Sequence, residues 1–337
     1  MKNLRLHFAV AAGVVAALLL PGCKPPQPPA VCAPPLAEGE LIALNNANAD
    51  KVPSLRAGAD VEIRFIREGE EQKHRLRDGL LLLLKDPTRA EGVPSFLLRA
   101  VYVSEPYFGA GVDAAAGEYY GWLDLPRGYA SAARWGNLAD VNRPDFESMP
   151  VDPTDLLSVL TVLPWPLRDP ERPMLSLPKD DPCLYDLLFF SRAGQEGRVQ
   201  LRRQVWMDRT VVPPRPSRVW VFDAAGRVTV DATLRDYQHI DVPGLNAAER
   251  PVMPTDILLR YPQQRDGPAD RPVTLVSLHL WLSNLTISTA GSPVRPAMFQ
   301  RRSVIPSRIE DQRPLGPLTE VPQGEAASRP AVGETAP

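Results

Sequence analysis

The cysteines and histidines are the residues of this chain best suited to covalent or metal chemistry, and they are few. Three cysteines occur in the 337 residues: Cys23, Cys32 and Cys183. Three histidines follow residue 22: His74, His239 and His279. No His-x-x-x-His or Cys-x-x-Cys spacing is present. The sequence therefore lacks the ligand spacings of common zinc sites, and we expect no metal and no cofactor.

Cys183 could in principle act as a nucleophile with His239 or His279 as its base. No local signature of a cysteine hydrolase surrounds any of them, and the chain has no Gly-x-Ser-x-Gly motif or phosphate-binding glycine loop. We therefore expect no catalytic residues and a protein that is not an enzyme. An envelope hydrolase remains an alternative only because active sites can form from scattered residues.

Cys23 carries the most specific signal in the chain. Lys2 and Arg5 precede an apolar stretch, Phe8 to Leu20, that is too short to span a bilayer as a helix. Leu20-Pro21-Gly22 then places Cys23 where a bacterial lipobox has its acylated cysteine. The pattern predicts a lipoprotein signal peptide over residues 1–22 and lipidation at Cys23. An ordinary signal peptide that ends near a cysteine is the alternative.

Cys32 and Cys183 are the two cysteines left once Cys23 is acylated. In an oxidising envelope they could form one disulfide, which would join the N-terminal segment to the body of the domain. They could equally be two unrelated thiols, because sequence alone does not give the distance between them. Both interpretations stay open at this point.

Proline usage divides the chain into a tether, a domain and a tail. Proline accounts for 38 residues, about twice its average usage. Residues 23–35 are predicted to be a Pro-rich tether and residues 306–337 a disordered tail, which leaves one domain over residues 36–305. The formal net charge of −2 shows no basic excess, so we expect no nucleic-acid partner.

Two apolar helices are predicted in a chain that otherwise favours strands. The first covers residue 36 to about residue 51 and places Ile42 in its apolar stripe. The second has Asp152 as its N-cap and Pro153 at its first position, and Pro164 limits it. Its apolar face consists of Leu156, Leu157, Leu160 and Leu163.

The rest of the domain predicts about eleven strands, mostly in sequential order, and a mainly β (α+β) fold. Residues 61–65 alternate apolar and charged side chains, whereas Gly79–Leu84 predicts a strand that is buried on both faces. In the last strand, Val276 is expected to share an apolar face with the leucines that follow it. Arg202 and Arg203 are expected on opposite faces of their strand, so that one points inward.

The order of these elements resembles the LolA/LolB-like group of outer-membrane lipoprotein-sorting and lipid-carrier proteins, in particular its lipobox-bearing members. The stretches that carry the resemblance are Leu44-Asn45-Asn46-Ala47-Asn48, Val52-Pro53-Ser54-Leu55, Glu118-Tyr119-Tyr120-Gly121-Trp122, Arg134-Trp135-Gly136, the helix from Pro150 to Leu157, and Val219-Trp220-Val221-Phe222-Asp223. The resemblance implies an unclosed antiparallel β-barrel of about eleven strands, with helices covering the concave face and acyl chains held in the concavity.

The resemblance also implies a function, whereas the lid and cavity residues follow from the two predicted apolar helices. A non-enzymatic, envelope-anchored monomer is expected to bind lipid or lipoprotein acyl chains, facing the periplasm from the outer membrane. The expected lid and cavity residues are Ile42, Leu156, Leu157, Leu160 and Leu163. The alternative is a structural or interaction lipoprotein whose core is filled by its own side chains and holds no ligand.

Overall fold

A computed structural model describes most of the predicted domain. The described residues are 32–88, 92–102, 105–125, 130–141, 151–168, 171–193, 198–223, 225–262, 274–287 and 293–316. The predicted signal peptide, Cys23, the first part of the tether and residues 317–337 of the predicted tail lie outside them. No helix among the described residues is long and apolar enough to cross a membrane.

Fourteen strands form one mainly antiparallel sheet. They are β1 Ser54–Arg67, β2 Glu70–Leu84, β3 Ser95–Tyr102, β4 Glu105–Asp113, β5 Glu118–Leu125, β6 Ala130–Asn137, β7 Met174–Ser176, β8 Leu184–Ala193, β9 Arg198–Asp208, β10 Arg215–Phe222, β11 Val228–His239, β12 Val252–Arg260, β13 Thr274–Thr286 and β14 Asp311–Pro314. Within the described residues, three α-helices accompany them: α1 Glu38–Asp50, α2 Pro153–Val159 and α3 Arg301–Val304. Short 3-10 helices lie at Leu138–Asp140 and Pro296–Phe299.

The strand order describes two meanders that meet at the β1–β13 pair. It runs β14-β6-β5-β4-β3-β2-β1-β13-β12-β11-β10-β9-β8-β7, and only β14 pairs in parallel, with β6. The two ends of this order are not paired with each other, so the described sheet is unclosed. A mainly β, unclosed sheet confirms the predicted class, whereas the predicted count of about eleven strands is wrong.

The three strands missing from the prediction are β4, β7 and β14. β4 lacks apolar alternation because glycines occupy positions where rings from β5 fold across it. A Cβ at Gly109 would lie 2.0 Å from the Trp122 ring, and one at Gly111 would lie 2.6 Å from the Tyr120 ring. β7 and β14 are edge strands of three and four residues. β14 lies within the segment predicted to be a disordered tail.

The contacts of α2 show that the sheet is curved. α2 contacts β4 and β5, and the Ser158 carbonyl of α2 accepts a 3.2 Å hydrogen bond from Arg203 Nη1 of β9. In a flat sheet, β4 and β9 would lie about 38 Å apart at about 4.8 Å per strand. A seven-residue helix is only about 10 Å long. The sheet must therefore curl to bring both strands to α2.

The sheet has an inner face and an outer face, each with its own apolar core. The inner face carries the larger core, which α1 and α2 share with the strands. The outer face of β2 to β6 carries a smaller core that is completed by Val294, Phe299 and Ile309. We call residues 293–316, which supply these three side chains, the strap. The two cores explain why the run Gly79–Leu84 is apolar on both faces of its strand. Leu81 and Leu83 face the larger core, and Leu82 faces the smaller one.

The N-terminal end of the described chain is fastened to the start of β8. Cys32 and Cys183 form a disulfide, with their Cα atoms 5.2 Å apart. Arg209 donates 2.6 Å hydrogen bonds to the carbonyls of Pro182 and Ala33, so its guanidinium bridges the same two segments. The disulfide also occupies the thiol that a Cys183 nucleophile would need.

Two bulges change which face particular side chains occupy. The β8–β9 register shifts between Phe189 and Phe190, whose partners are Arg203 and Leu201, so Arg202 is an extra residue in β9. Arg202 therefore interacts electrostatically with Asp155 of α2 while Arg203 also reaches α2, and the prediction of opposite faces is wrong. A second shift, in β13, leaves Val276 lining an outer-face cavity rather than the inner core.

Candidate functional site

The apolar side of α2 is buried in the larger core. Leu156 and Leu157 are each 2% exposed and Leu160 is 1% exposed, and all three belong to the larger core. Ile42 of α1 is 1% exposed in the same core, and Leu163 packs against it as a half-buried residue. The structure thus brings the five predicted lid and cavity residues into one cluster. Whether they line a lipid site is a prediction that these contacts leave open.

Helix α2 forms where the sequence predicted it because its N-terminus is capped. Asp152 Oδ1 accepts 2.7 Å hydrogen bonds from the Thr154 N–H and the Thr154 hydroxyl. Pro153, at the first helical position, has no N–H that would need a partner. We call residues 151–163 the lid segment, since they run across the inner face from this cap to the residues that α1 binds.

Two asparagines of α1 hold the end of the lid segment. Asn45 Nδ2 donates to the Leu163 carbonyl at 3.0 Å. Asn46 pairs with both backbone groups of Trp165, donating to its carbonyl at 3.0 Å and accepting from its N–H at 2.7 Å. An asparagine amide in this position imitates a neighbouring strand. The lid segment therefore ends at a point fixed by side chains of α1.

The other end of the lid segment carries two desolvated carboxylates. Burial raises the pKa of Asp152 above its usual range, against hydrogen bonds from Thr154 and Asp155 that lower it. Burial and the neighbouring Asp152 charge raise the pKa of Asp155 further, and Arg202 opposes the shift. Two acids that share one poorly solvated place disfavour each other's charge. Burial therefore disfavours the charged forms of both carboxylates in this structure.

Two arginines of β9, Arg202 and Arg203, extend from the sheet towards α2. Burial lowers the pKa of Arg203 to about 10. Its guanidinium lies 4.1 Å from the centre of the Phe189 ring and donates to the Ser158 carbonyl. Burial also lowers the pKa of Arg202, although Asp155 and Asp152 act against the shift. Placing charged groups beneath an apolar helix costs free energy that a dry aliphatic core would avoid.

Thr161 adds backbone strain after the last turn of α2. Its φ is +59°, a left-handed conformation that β-branched residues rarely adopt. Strain of this kind costs of order 1–3 kcal/mol and persists only where the surroundings impose it. The lid segment thus combines a well-packed apolar side with a strained turn and buried charges.

The rest of the described surface offers different chemistry. Two cavities of about 440 and 590 Å³ open on the outer face, and most of the residues that line each of them are polar or charged. No group of three or more His, Cys, Asp or Glu side chains among the described residues is arranged to hold a metal ion. His279 Nε2 lies 2.6 Å from Asp256 Oδ1 on the rim of the larger cavity.

The sequence prediction overlooked the polar groups of this site. Asn45 and Asn46 belong to a motif that carries the family resemblance, and nothing in the local sequence predicts their contacts with Leu163 and Trp165. Nor does the sequence around Asp155 predict that its carboxylate is desolvated. The signal that pointed to charge near the lid was the pair Arg202-Arg203, which needs partners in an apolar sheet.

Comparison with known proteins gives structural likeness only. No protein-family model matches the chain, and no curated protein sequence matches it. A DUF1329 family protein from Desulfovibrio piger is 12% identical with a TM-score of 0.44, covering 80% of this chain and 99% of its own. A putative outer membrane lipoprotein-sorting protein domain from Vibrio parahaemolyticus is 11% identical with a TM-score of 0.45, covering 79% and 99%.

A LolA superfamily protein from Nitrosomonas europaea is 11% identical with a TM-score of 0.34, covering 78% of this chain and 99% of its own. At these identities and scores the likeness carries no statement about ligands or activity. Two of the three solved structures bear the names of the group that the sequence motifs resemble. In its structure, the chain is similar to LolA-superfamily and outer membrane lipoprotein-sorting proteins.

Proposed function

We propose that this protein binds acyl chains of lipids or lipoproteins on the inner face of its open barrel, beneath α2. In this proposal α1 and α2 cover the concave face, and the lid segment moves aside to admit the ligand. The protein is a non-enzymatic, acyl-anchored component of a bacterial envelope, facing the periplasm from the outer membrane. Its lid and cavity residues are Ile42, Leu156, Leu157, Leu160 and Leu163.

One observation supports the proposal: the leucines of a short helix, α2, are buried in the core of the inner face. Burial of a leucine is worth roughly 1.5–3 kcal/mol, so displacing four residues costs roughly 6–12 kcal/mol. A sixteen-carbon acyl chain buries about fifteen methylenes at about 0.8 kcal/mol each, roughly 12 kcal/mol. The two amounts are comparable. Exchange of lid for lipid is therefore energetically accessible without a large driving force.

The polar features at the edges of the lid segment support the same proposal. The desolvated charges of Asp155 and Arg203 and the strained backbone of Thr161 are relieved when the segment moves into water. The contacts of Asn46 with Trp165 meanwhile keep the end of the segment attached to α1. A segment with desolvated carboxylates at one end and hydrogen bonds to α1 at the other suits a hinged lid.

Native mass spectrometry tests the binding directly. The chain is expressed from residue 24, which removes the acylation site and keeps the disulfide, and is purified from a lipid-containing extract. We expect a discrete added mass that dissociates as a phospholipid or an acylated peptide. A bare mass that does not change when lipid is added would contradict the proposal.

A matched pair of variants separates lid from core. Leu160→Asp places a charge at a residue that is 1% exposed, whereas Leu167→Asp makes the same change at a residue that is 67% exposed. We expect the first to abolish lipid uptake with the circular dichroism spectrum retained, and the second to leave uptake unchanged. Loss of folding in Leu160→Asp would mean that the residue is core.

The alternative is a structural or interaction lipoprotein with a filled interior. It is favoured by the near-complete burial of Ile42, Leu156, Leu157 and Leu160 in the closed structure. The two functions differ in one measurable property, since only a carrier exchanges its lid for lipid. The bare mass described above, together with unfolding of Leu160→Asp, would favour this alternative.

Anchoring through Cys23 is tested separately from ligand binding. Cys23→Ser should move the protein from the membrane fraction to the soluble fraction and remove the acyl mass from its N-terminal peptide. Cys32→Ser leaves the lipobox intact and serves as the control, since it should stay with the membrane. Retention of Cys23→Ser in the membrane fraction would contradict acylation at this residue.

A further inference from the structure

The smaller outer-face cavity has the features of an anion site. It has a volume of about 440 Å³ and is lined by Arg56, Gly58, Asp78, Gly79, Leu80, Arg99, Asn284 and Thr286. Small-molecule sites typically fall between about 300 and 1,000 Å³. Leu80 is the only large apolar residue of the lining, so acyl chains are poor occupants. Each outer-face cavity is lined by two arginines, but the smaller one has one carboxylate and the larger one has three, so the smaller cavity is the more cationic.

Register shifts in three adjacent strand pairs surround the cavity. The β1–β13 register shifts between Arg56 and Gly58, the β1–β2 register between Ala59 and Val61, and the β2–β3 register between Arg77 and Leu80. Asp78 and Asn284 lie at these irregularities with φ values of 55° and 52°. Bulges bend the strand and redirect side chains, and left-handed residues other than glycine mark places where the fold imposes strain. The sheet is therefore distorted in three adjacent strand pairs at one place.

Two glycines keep the floor of the cavity free of side chains. A Cβ at Gly79 would lie 2.5 Å from the Ala59 carbonyl oxygen and 2.6 Å from the Arg99 carbonyl oxygen. A Cβ at Gly58 would lie 2.8 Å from Ser283 Oγ. Neither position accepts a larger residue without movement of its neighbours. The backbone itself therefore forms the base of the cavity, and the arginines stand at its sides.

Arg99 supplies the donor that most needs a partner. Its side chain is partly buried, and its Nε–H is buried without a hydrogen-bond partner among the described residues. A buried guanidinium donor is costly unless it is paired, and oxyanions match the fork of N–H groups that guanidinium presents. Arg56 adds a second guanidinium to the lining and Asp78 adds one carboxylate. Their formal charges leave a single positive excess.

We propose that this cavity binds a phosphodiester, with Arg99 as its main contact. A phosphodiester carries one negative charge, which matches the single positive excess, and its oxygens accept from guanidinium groups. Asn284 and Thr286 then donate to the polar groups that flank the phosphate. The site lies on the opposite face of the sheet from the proposed acyl site, so each can exist without the other.

The position of the cavity points to a lipid headgroup as the source of the phosphodiester. Arg56 pairs with Thr286 near the start of β1 and the end of β13. The start of β8, where Cys32 is fastened, lies at the same end of the antiparallel strands. An N-terminal anchor at Cys23 would hold this end of the sheet towards the membrane. Headgroups are then the phosphodiesters nearest to the site.

Soluble and membrane-bound ligands are tested in parallel. The chain from residue 24 onward, which contains every described residue, is titrated with glycerophosphoglycerol, and its binding to phosphatidylglycerol vesicles is measured against phosphatidylcholine vesicles. We expect saturable 1:1 binding of the soluble diester that Arg99→Gln weakens about tenfold or more. Arg99-dependent recruitment to phosphatidylglycerol vesicles would identify the headgroup as the source. Arg99-dependent binding of the soluble diester alone would identify a free phosphodiester.

The control is a neighbouring arginine outside the cavity. Arg77→Gln removes the same charge from an exposed residue of β2 that does not line the site, and should change affinity less than about twofold. Thermal melts should show that Arg99→Gln is no less stable than the parent, because Arg99 has a buried unpartnered donor. No binding of either ligand, or equal losses in the two variants, would overturn the proposal.

Discussion

The lid segment and the strap lie against opposite faces of the same sheet, and their charged groups are treated differently. The strap inserts Phe299, 0% exposed, and Ile309, 1% exposed, into its core, and its charged groups pair at the rim. Arg308 pairs with both Asp124 and Glu105 at 2.6 Å. The lid segment buries its leucines equally well, but its charges are desolvated. Apolar packing alone does not decide whether a segment stays in place.

The neutral hydrogen bonds of the two segments differ as well. The Tyr120 hydroxyl donates to the Phe299 carbonyl at 2.6 Å in a fully buried position of the strap. The bonds from Asn45 and Asn46 to the lid segment and to Trp165 gather at one end. The neutral side-chain hydrogen bonds of the lid segment to α1 are concentrated at its C-terminal end, and its hydrogen bond near the middle comes from the desolvated guanidinium of Arg203. We therefore infer that the strap is structural and that the lid segment is the movable element.

The largest effect is expected in the strap. Phe299→Ala should lower the free energy of unfolding by about 3–5 kcal/mol, because it empties a fully buried aromatic site. Met298→Ala, at a neighbouring residue that is 39% exposed, should change it by less than about 0.5 kcal/mol. Urea denaturation measures both. A small loss for Phe299→Ala would mean that the strap is not needed for stability.

The fastening of the lid segment gives the next largest effect. Asn46→Ala removes both hydrogen bonds to Trp165 and should destabilise the closed lid by about 1–3 kcal/mol. Amide exchange in residues 151–165 should accelerate accordingly. Asn48→Ala is the matched control, since Asn48 makes the same pair of bonds with Val252 of β12 instead. Equal acceleration of exchange in the two variants would contradict a specific hinge at Asn46.

The lid charges should make closure depend on pH. The pKa values of Asp152 and Asp155 are raised in the closed state, so closure is most favoured below the ordinary aspartate pKa of about 4 and weakens as pH rises through the raised values. Exchange in residues 151–163, corrected for its intrinsic pH dependence, should therefore be slower at pH 5 than at pH 7.5. Among the described residues, the other charged or titratable groups that interact with Asp152 or Asp155 are Arg202, Tyr119 and Tyr261.

Asp155→Asn tests the contribution of the Asp155 carboxylate separately from that of its neighbours. The variant keeps the shape of the side chain and removes its charge, so exchange in the lid segment should slow severalfold at pH 7.5 and lose most of its pH dependence. Lipid uptake should fall in parallel. Faster exchange in Asp155→Asn would show that the pairing of Asp155 with Arg202 outweighs its desolvation.

The smallest effect is expected at the rim of the strap. Arg308→Gln removes two ion pairs of a side chain that is 40% exposed. Exposed pairs contribute about 0.2–1 kcal/mol, and that contribution should shrink at high salt. Urea denaturation at low and high ionic strength measures it. A loss near that of Phe299→Ala would reverse the relative importance of packing and charge in the strap.

The sequence allowed the helices and the strand-rich class to be predicted because their signals are local. Asp152-Pro153 marks the start of α2, and the polar-apolar alternation of β1 marks a half-buried strand. β4 was missed because its glycines serve ring contacts from β5, which become visible only when the strands are paired. The predicted faces of Arg202 and Val276 are wrong because a bulge adds one residue to the strand and reverses the alternation of faces. No local sequence pattern marks the bulge.

The candidate site was predictable in its apolar part only. Leucines on one side of a short helix predict a buried surface, and all five predicted residues lie in one cluster. The contacts of Asn46 with Trp165 and of Arg203 with Ser158 join residues far apart in the chain. Their partners follow from the curvature of the sheet, which depends on every strand pair at once. No window of sequence contains that information.

The disulfide between Cys32 and Cys183 would shorten the part of the tether that separates the domain from the membrane. If Cys23 carries the acyl chains, only nine residue steps separate the membrane from the fastened end of the sheet, a reach of at most roughly 32 Å at 3.6 Å per residue. Reduction of the disulfide, together with Arg209→Ala, would let the body drift farther from the bilayer and tumble more freely. One covalent link would therefore set both the height and the tilt at which this protein meets its membrane.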